Sequence, residues 1–284
     1  YKNGINHGLW EEFHENGQLK HRVNYKDGQL NGLGEFFYEN GELRSKGTYK
    51  DGEHVGDWKV YNENGEDISN GLWEEFWENS QLKIRGNHKD GRLDGLWEWF
   101  YENGQLQRRV KNYKDGKLEG LYEIFYENGR LEEKENYKDD ELDGLHEEFD
   151  KNGQLIDRTN HKDGKLEGLS ERFLENGQLL ERENYKDDEL DGLYELFHEN
   201  GQLEERGNYK DGKLEGLWEW FDENGQLERR ENFNNGELDG LSEEFHENGQ
   251  LMVRTNYKNG KLEGLCESFY ENGQLMTRGN QKNR

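Results

Sequence analysis

The sequence predicts an all-β protein: an elongated array of antiparallel β-hairpins, forming a single-layer, solenoid-like meander with about 24 residues per repeat. Three observations predict it. A pattern of 24 residues recurs along the chain, two turn signals fall in each copy, and Leu, Trp, Phe and Tyr return at fixed positions between the turns. Abundant Gly and Asn, with no Ala and no Pro, favour turns and strands over helices.

Each repeat opens with a glycine, which we number position 1. The consensus is G-L-W-E-x-F-Y-E-N-G-Q-L-x-x-R-x-N-Y-K-D-G-K-L-E. The chain is expected to be one continuous array over residues 1–284, with a truncated repeat at 56–70 and one inserted residue near Val110 and Lys111. A single inserted residue in a strand predicts a bulge. The opening glycines are Gly8, Gly32, Gly56, Gly71, Gly95, Gly120, Gly144, Gly168, Gly192, Gly216, Gly240 and Gly264.

Two dipeptides mark the turns of each repeat. Asn-Gly ends the first half, as in Asn128-Gly129, and Asp-Gly usually ends the second half, as in Asp211-Gly212. Both dipeptides tolerate the positive φ angles that type I′ hairpin turns require. Each repeat is therefore expected to form one hairpin, and a tight two-residue Asn-Gly loop would place position 4 opposite position 15.

Those two positions carry opposite charges. Position 4 is Glu and position 15 is Arg or Lys in every repeat except the truncated one, where Lys59 and Asn70 replace them. Such cross-strand pairs fix the register of a hairpin, although each contributes only about 0.2–1 kcal/mol. The alternative is that both positions are merely exposed and were copied by duplication. The pairs singled out are Glu98 with Arg109, Glu147 with Arg158, Glu171 with Arg182, and Glu219 with Arg230.

Apolar side chains form stripes along the array. Position 6 is Phe or Tyr in every repeat, and Leu follows both the opening glycine and the Asn-Gly turn. Stacked repeats are expected to bury these rows. Strict alternation puts Leu and Phe on the face of the Glu–Arg pairs and Trp10 and Tyr25 on the other, giving a thin sheet curved at its glycines. The phenylalanine stripe comprises Phe100, Phe125, Phe149, Phe173, Phe197, Phe221 and Phe245.

Composition limits the partners. Apolar residues make up 29% of the chain, charged residues 36%, and the net charge is −26. Such a surface repels nucleic-acid phosphates and opposes docking on anionic lipid. No apolar run is long enough for a transmembrane helix. The single cysteine, Cys266, allows no internal disulfide and leaves the compartment open, with the cell surface or extracellular space slightly preferred.

The segment Y-K-D-G-K-L-E-G-L-Y-E-I-F-Y-E-N-G at residues 113–129 resembles MORN-type repeats. The likeness is greater to the MORN variant in bacterial proteins labelled as the YwqK antitoxin family, and it covers essentially the whole chain. The resemblance implies an elongated sheet of hairpins that acts as a scaffold or binding surface.

No pattern indicates an active site. The nine histidines are expected to form no metal-binding set, and His14, His198 and His246 share position 7 of widely separated repeats. No phosphate-binding glycine loop occurs. We therefore expect no enzyme activity, no cofactor and no dedicated metal site. The Asp/Asn/Gly turns suggest weak calcium binding at most, because no complete calcium-loop motif is present.

Three functions are compatible with the sequence: a non-catalytic scaffold presenting an acidic and aromatic surface to proteins, a structural subunit of a head-to-tail filament or surface assembly, and an antitoxin-like binder of a protein partner. The chain begins with the tail of a repeat, Tyr1–Gly4, and ends at Asn280–Arg284 with no polar cap at either end. We expect either a window from a longer array or self-association through the end strands.

Overall fold

The computed structural model describes residues 5–281. The end segments 1–4 and 282–284, which bear on the expected pairing of chain ends, lie outside the described residues. The described residues contain strands and turns but no helix. The all-β class and the antiparallel arrangement of successive hairpins in open sheets are confirmed.

The chain divides into an N-terminal unit, residues 1–129, and a C-terminal unit, residues 130–284. The N-terminal unit contains β1 (Gly8–Phe13), β2 (Leu19–Lys26), β3 (Gln29–Leu30), β4 (Gly32–Phe37), β5 (Leu43–Lys50), β6 (Glu53–Val60), β7 (Gly71–Phe76), β8 (Leu82–Lys89), β9 (Arg92–Phe100), β10 (Leu106–Lys114), β11 (Lys117–Leu118) and β12 (Gly120–Phe125).

The C-terminal unit contains β13 (Leu131–Lys138), β14 (Glu141–Leu142), β15 (Gly144–Phe149), β16 (Leu155–Lys162), β17 (Lys165–Leu166), β18 (Gly168–Phe173), β19 (Leu179–Lys186), β20 (Glu189–Leu190), β21 (Gly192–Phe197), β22 (Leu203–Lys210), β23 (Lys213–Phe221), β24 (Leu227–Asn234), β25 (Glu237–Phe245), β26 (Leu251–Lys258), β27 (Lys261–Phe269) and β28 (Leu275–Gln281). The long strands pair antiparallel in chain order.

The two turns of a repeat differ. At Asp211-Gly212 both residues have positive φ, 48° and 72°, and Lys210 pairs with Lys213, which makes the two-residue loop that the sequence predicts. At the Asn-Gly turns the loop is instead five residues long. In the repeat that opens at Gly192, Phe197 pairs with Leu203, and a bulge after Leu196 restores the predicted register.

The asparagine of the five-residue loop has a different role from the one predicted. Among the described residues, the glycines of these loops have positive φ, such as 80° at Gly129, but their asparagines do not. The asparagine side chain closes the loop instead: Asn200 Oδ1 accepts a hydrogen bond of 2.9 Å from the Gln202 backbone N–H. The prediction of a type I′ Asn-Gly turn was therefore wrong, although the register that it gave for positions 4 and 15 is the one observed.

The opening glycine of each repeat lies at a second irregularity. Gly192 has a φ of 123°, in the region that favours glycine. Close to this glycine, the Asn184 side-chain amide donates a hydrogen bond of 3.0 Å to the Leu193 carbonyl oxygen. The side chain thereby supplies a hydrogen bond to a backbone carbonyl at the bulge, where the backbone hydrogen bonds between the strands are interrupted.

The truncated repeat interrupts the strand pairing of the N-terminal unit. Strands β1–β6 form one six-stranded sheet, and β7 begins the next. Ser69, only 1% exposed, occupies the junction and accepts a 2.9 Å hydrogen bond from the Val60 N–H. In place of the missing half-repeat, the chain turns back after β6 through an antiparallel bridge between Tyr61 and Asp67. The residue inserted at 110–111 is absorbed as a register shift between Val110 and Tyr113.

Candidate interaction surface

Alternation along the strands separates two faces, which we define with the repeat that opens at Gly216. The ladder face carries positions 2, 4, 6, 15 and 17, and the aromatic face carries positions 3, 5, 14, 16 and 18. The ladder-face residues are Leu217, Glu219, Phe221, Arg230 and Asn232. The aromatic-face residues are Trp218, Trp220, Arg229, Glu231 and Phe233.

The aromatic face contains the best-buried apolar side chains. Trp97 and Trp218 are 2% and 1% exposed, and Val110 is 1% exposed. Trp218 stacks on Tyr194 with ring centroids 5.6 Å apart and meets Tyr209 edge-on at 5.2 Å. These contacts between successive repeats supply a core that no single hairpin could form.

Each buried tryptophan at position 3 lies over a glycine at position 16 of the preceding repeat. A Cβ atom on Gly207 would stand 2.1 Å from two ring carbons of Trp218, and one on Gly86 would stand 2.1 Å from the nearest ring carbon of Trp97. Sequence reasoning missed this pairing. The signal that could have found it is that Gly47, Gly86 and Gly207, which belong to no turn, each precede a repeat with Trp at position 3.

The ladder face carries the predicted charge pairs as a longer chain of ion pairs. Glu98 lies opposite Arg109, with Oε1 3.2 Å from Nε, and its Oε2 bonds Arg85 of the preceding repeat. Arg109 in turn lies 3.4 Å from Glu123 of the next repeat. Arg109 therefore contacts a Glu on both sides, which the sequence did not show because it paired positions only within a repeat.

The C-terminal unit contains a ladder of the same kind. Glu147 contacts Arg158 at 3.0 Å, and Arg158 lies 3.6 Å from Glu171. Arg182 then joins Glu171, at 3.0 Å, to Glu195. Glu219 lies opposite Arg230 in the register, yet it bonds Arg206 of the preceding repeat, while Arg230 bonds Glu243. In the truncated repeat Lys59 lies opposite Lys46, so the charge alternation stops there.

Burial and hydrogen bonding act in opposite directions on the glutamates of the ladder. Glu243 is only 3% exposed. Burial raises the pKa of its carboxyl group, but hydrogen bonds from Arg254 and Arg230 outweigh that effect, so the net pKa is lowered. The glutamate therefore stays charged and shared between two guanidinium groups.

The phenylalanine stripe lies half-buried under this ladder. Arg85 lies over the ring of Phe100 at 5.9 Å, and Arg109 lies over Phe125 at 6.0 Å, both within the range of a cation–π contact. The same contact joins Arg206 to Phe221 and Arg230 to Phe245. Phe149, Phe173 and Phe197 occupy the same position and are likewise half-buried.

The leucine row at position 2 is exposed in part of the array, although the sequence predicted that it would be buried. Leu217, Leu241 and Leu265 are 43%, 46% and 41% exposed. At the same position Leu121, Leu145, Leu169 and Leu193 are half-buried. In the last three repeats the row is an exposed apolar stripe beside the charge ladder.

Position 7 joins successive repeats. His198 Nε2 donates a hydrogen bond of 3.0 Å to the Phe221 carbonyl oxygen of the next repeat, and His246 Nε2 donates one to the Phe269 carbonyl oxygen in the same way. Trp77 and Tyr101 make the equivalent bonds with their own ring donors. The histidines at this position thus donate hydrogen bonds that join one repeat to the next.

Polar side chains replace part of the aromatic core in the C-terminal unit. Positions 3 and 16 carry Glu135, His146, Thr159, Ser170 and Glu183 between the aromatic groups. Burial raises the pKa of Glu183. Burial, together with the hydrogen bond to Glu183, raises the pKa of Tyr185 to about 12.

Comparison with known proteins agrees with the repeat period. The model of the MORN repeat variant matches residues 6–27, 30–51, 69–90, 93–115, 118–139, 142–163, 166–187, 190–211, 214–235, 238–259 and 262–283. The chain belongs to the MORN repeat variant family. The truncated repeat, 56–70, falls largely between two of these matches. The family makes this chain a repeat scaffold.

More distant similarity adds no function. No curated protein matches the chain. Among solved structures, it is similar to the Photorhabdus luminescens Tc holotoxin pore with the TccC3-D651A mutation, at 10% identity and a TM-score of 0.20 over 96% of this chain and 18% of that one. It is also similar to TcdB2-TccC3-TEV, at 11% identity and a TM-score of 0.22, with 96% of this chain and 15% of that chain covered. The chain therefore spans less than a fifth of either protein. Within residues 5–281 no helix is long and apolar enough to span a membrane.

Proposed function

We propose that this chain is a non-catalytic repeat scaffold whose ladder face binds a protein partner. The observation that carries the proposal is the exposed leucine row beside the Glu–Arg ladder. Leu217, Leu241 and Leu265 are spaced one repeat apart, each more than 40% exposed, on strands that the ladder holds in register. A regular apolar stripe rimmed by charge is typical of protein interaction sites.

The charge of the chain favours a basic partner. With a net charge of −26, the protein attracts a positively charged surface and repels an acidic one. The internal pairing of the ladder glutamates with arginines leaves the leucines as the groups that a partner would desolvate. Charge then guides the encounter, and apolar contact holds the complex.

The test compares two triple variants of the full chain in pull-down experiments. Changing Leu217, Leu241 and Leu265 to Ser removes the apolar stripe and is expected to abolish capture of the partner. The matched control changes the exposed position-8 residues Glu223, Glu247 and Glu271 to Gln in the same three repeats and is expected to retain it. Capture that survives the leucine changes but is lost in the control would overturn the proposal.

The filament subunit and the antitoxin-like binder remain hypotheses. No contact among the described residues favours either of them over the scaffold.

A further inference from the structure

The polar stretch of the aromatic face brings together three side chains of metal-binding type. Glu133 and Glu135 lie on β13, and His146 lies on β15. One ligand atom from each lies within 4.8 Å of the other two. All three come from positions 14, 16 and 3, which adjacent repeats place side by side on this face. Sequence reasoning expected no such set among the histidines.

The imidazole is oriented as in a ligand. His146 Nε2 lies 3.1 Å from Glu133 Oε1, on the side of the two carboxylates. Its other nitrogen, Nδ1, lies 3.2 Å from Thr159 Oγ1, which also lies 3.0 Å from His161 Nε2. A histidine whose far nitrogen is held by a hydrogen-bond partner presents a fixed lone pair to a metal.

Negative charge accumulates around these three side chains. Glu135 is 8% exposed, and its Oε2 accepts a hydrogen bond of 3.0 Å from the neutral Tyr137 hydroxyl. On the same face Glu133 lies opposite Glu148, and Glu148 lies opposite Asp157. Like charges directly opposite each other destabilise a sheet, so a bound cation would relieve this repulsion.

We propose that Glu133, Glu135 and His146 bind a divalent transition-metal cation of the Zn²⁺ class, with Thr159 positioning the imidazole. One nitrogen and two carboxylate oxygens match this class, whereas Ca²⁺ and Mg²⁺ prefer oxygen-only sets. A tetrahedral cation would keep a fourth position for water.

The array contains an equivalent arrangement without the histidine. Two repeats further on, Glu181, Glu183 and Tyr194 occupy positions 14, 16 and 3. The Tyr194 hydroxyl donates a hydrogen bond of 3.2 Å to Glu181 Oε1, which corresponds to the contact between His146 and Glu133. The Tyr185 hydroxyl donates 2.9 Å to Glu183, as Tyr137 does to Glu135. The two places share the pair of glutamates, but at the second place Tyr194 replaces the histidine, Gly207 replaces Thr159, and Arg172 lies 2.9 Å from Glu181.

Calorimetric titration of the full chain with Zn²⁺ tests the proposal, with Co²⁺ absorption as a second readout of the ligand geometry. The wild type is expected to bind one Zn²⁺, and His146→Tyr to lose it while retaining the strand circular-dichroism spectrum. Thr159→Val is expected to weaken binding about 10-fold. Tyr194→His is expected to add a second site that is weaker than the first, because Gly207 takes the place of Thr159 there. Glu183→Gln, in the equivalent repeat, is expected to leave the first site unchanged.

Two results would overturn the proposal. One is Zn²⁺ affinity and stoichiometry that are unchanged in folded His146→Tyr, which would place binding elsewhere. The other is binding of Ca²⁺ but not Zn²⁺ by the wild type, which would point to the acidic turns.

Discussion

At the scale of single residues, the fit between Gly207 and Trp218 limits what the sheet tolerates. A Cβ on Gly207 would stand 2.1 Å from the indole, which is far inside contact distance, and the backbone there is ordinary strand. Position 207 therefore requires glycine because a larger side chain would clash with the indole, and not because the backbone needs glycine's conformational freedom. The aromatic core is stacked so closely that one methyl group has no room.

We predict that Gly207→Ala lowers the free energy of unfolding by about 1–3 kcal/mol, because the buried indole of Trp218 must move. Urea denaturation followed by circular dichroism measures the effect. Gly279→Ala is the matched control: it occupies the same position 16 in the last repeat, and a Cβ there meets nothing within 4 Å. Equal effects of the two substitutions would contradict the proposed fit.

A second residue-scale prediction concerns Glu183, whose pKa is raised by burial. A carboxyl group with a raised pKa in the folded state binds its proton more tightly than in the unfolded state, so its contribution to stability falls as pH rises through the folded pKa. Glu183→Gln is therefore expected to stabilise the protein at pH 7, by less than about 1 kcal/mol.

The advantage of Glu183→Gln should disappear in acid, once the wild-type carboxyl group is protonated in both states. Thermal unfolding between pH 4 and pH 7 measures the difference between variant and wild type. Glu228→Gln, at an exposed position, provides the control and should change little. Destabilisation by Glu183→Gln at pH 7 would show that the hydrogen bond from Tyr185 outweighs the cost of burying the charge.

At the scale of strands and turns, the ladder and the five-residue loops hold one repeat to the next. Several ladder arginines contact glutamates of two repeats, as Arg182 does with Glu171 and Glu195. The loop asparagines add hydrogen bonds to the backbone of the next repeat. The Asn200 side-chain amide, for example, donates a hydrogen bond of 2.6 Å to the Glu223 carbonyl oxygen. Both contacts link neighbours along the array, as expected where stability comes from interfaces between repeats.

Removing a buried charge from the ladder tests its contribution. Glu243→Gln is expected to lower the free energy of unfolding by about 1–3 kcal/mol at pH 7, because Arg230 and Arg254 lose their shared charged acceptor. Glu74→Gln is the control: Glu74 is exposed and lies opposite Arg85, which bonds Glu98 instead. Urea denaturation of both variants measures the difference.

The effect of Glu243→Gln should depend on pH in the opposite sense to that of Glu183→Gln. The lowered pKa of Glu243 stabilises the fold above the carboxyl's ordinary pKa, and this contribution is lost as pH falls through the folded value. The wild type and the variant should therefore converge in acid. A difference that persists after the Glu243 carboxyl group is protonated in the folded state would contradict the ion-pair explanation.

The asparagine loops make a separate prediction. Asn200→Asp keeps the oxygen that accepts from Gln202 but loses the amide donor to Glu223, and we expect a loss of about 0.5–1.5 kcal/mol. Asn176→Asp is the control, because the Asn176 amide bonds Gln178 within its own loop. Thermal unfolding compares the two. Equal losses would mean that the bond between repeats contributes nothing.

At the scale of the whole molecule, net charge competes with local pairing. The charge of −26 makes the folded state repel itself, whereas the ladder is made of attractive contacts that are partly buried. Salt screens exposed charges over about 8 Å at physiological ionic strength but screens buried pairs much less. The acidic surface should therefore dominate the response to salt.

We predict that the melting temperature rises by a few degrees between about 20 mM and 300 mM NaCl, because screening relieves repulsion across the surface. Scanning calorimetry measures the shift. The control repeats the titration on the triple variant with Glu223, Glu247 and Glu271 changed to Gln, whose smaller charge should give a smaller rise. A melting temperature that falls with salt would show that attraction within the ladder outweighs repulsion across the surface.

The sequence by itself determined the repeat, the all-β class and the register. Glu98 and Arg109 lie opposite each other as the spacing predicts, although a five-residue loop and a bulge give this register in place of the predicted two-residue turn. The Asp-Gly turns also follow from the sequence, because their φ angles depend on two adjacent residues. Local chemistry sufficed for these features.

Only the tertiary structure decided how one repeat meets the next. Bulges at the asparagine loops and at the opening glycines set the stagger between hairpins, and that stagger determines whether Arg109 reaches Glu123 or Trp218 lies over Gly207. It also left Leu217 exposed and brought His146 to Glu133 and Glu135. These contacts join residues of different repeats, and a period read along one chain does not specify the offset between neighbours.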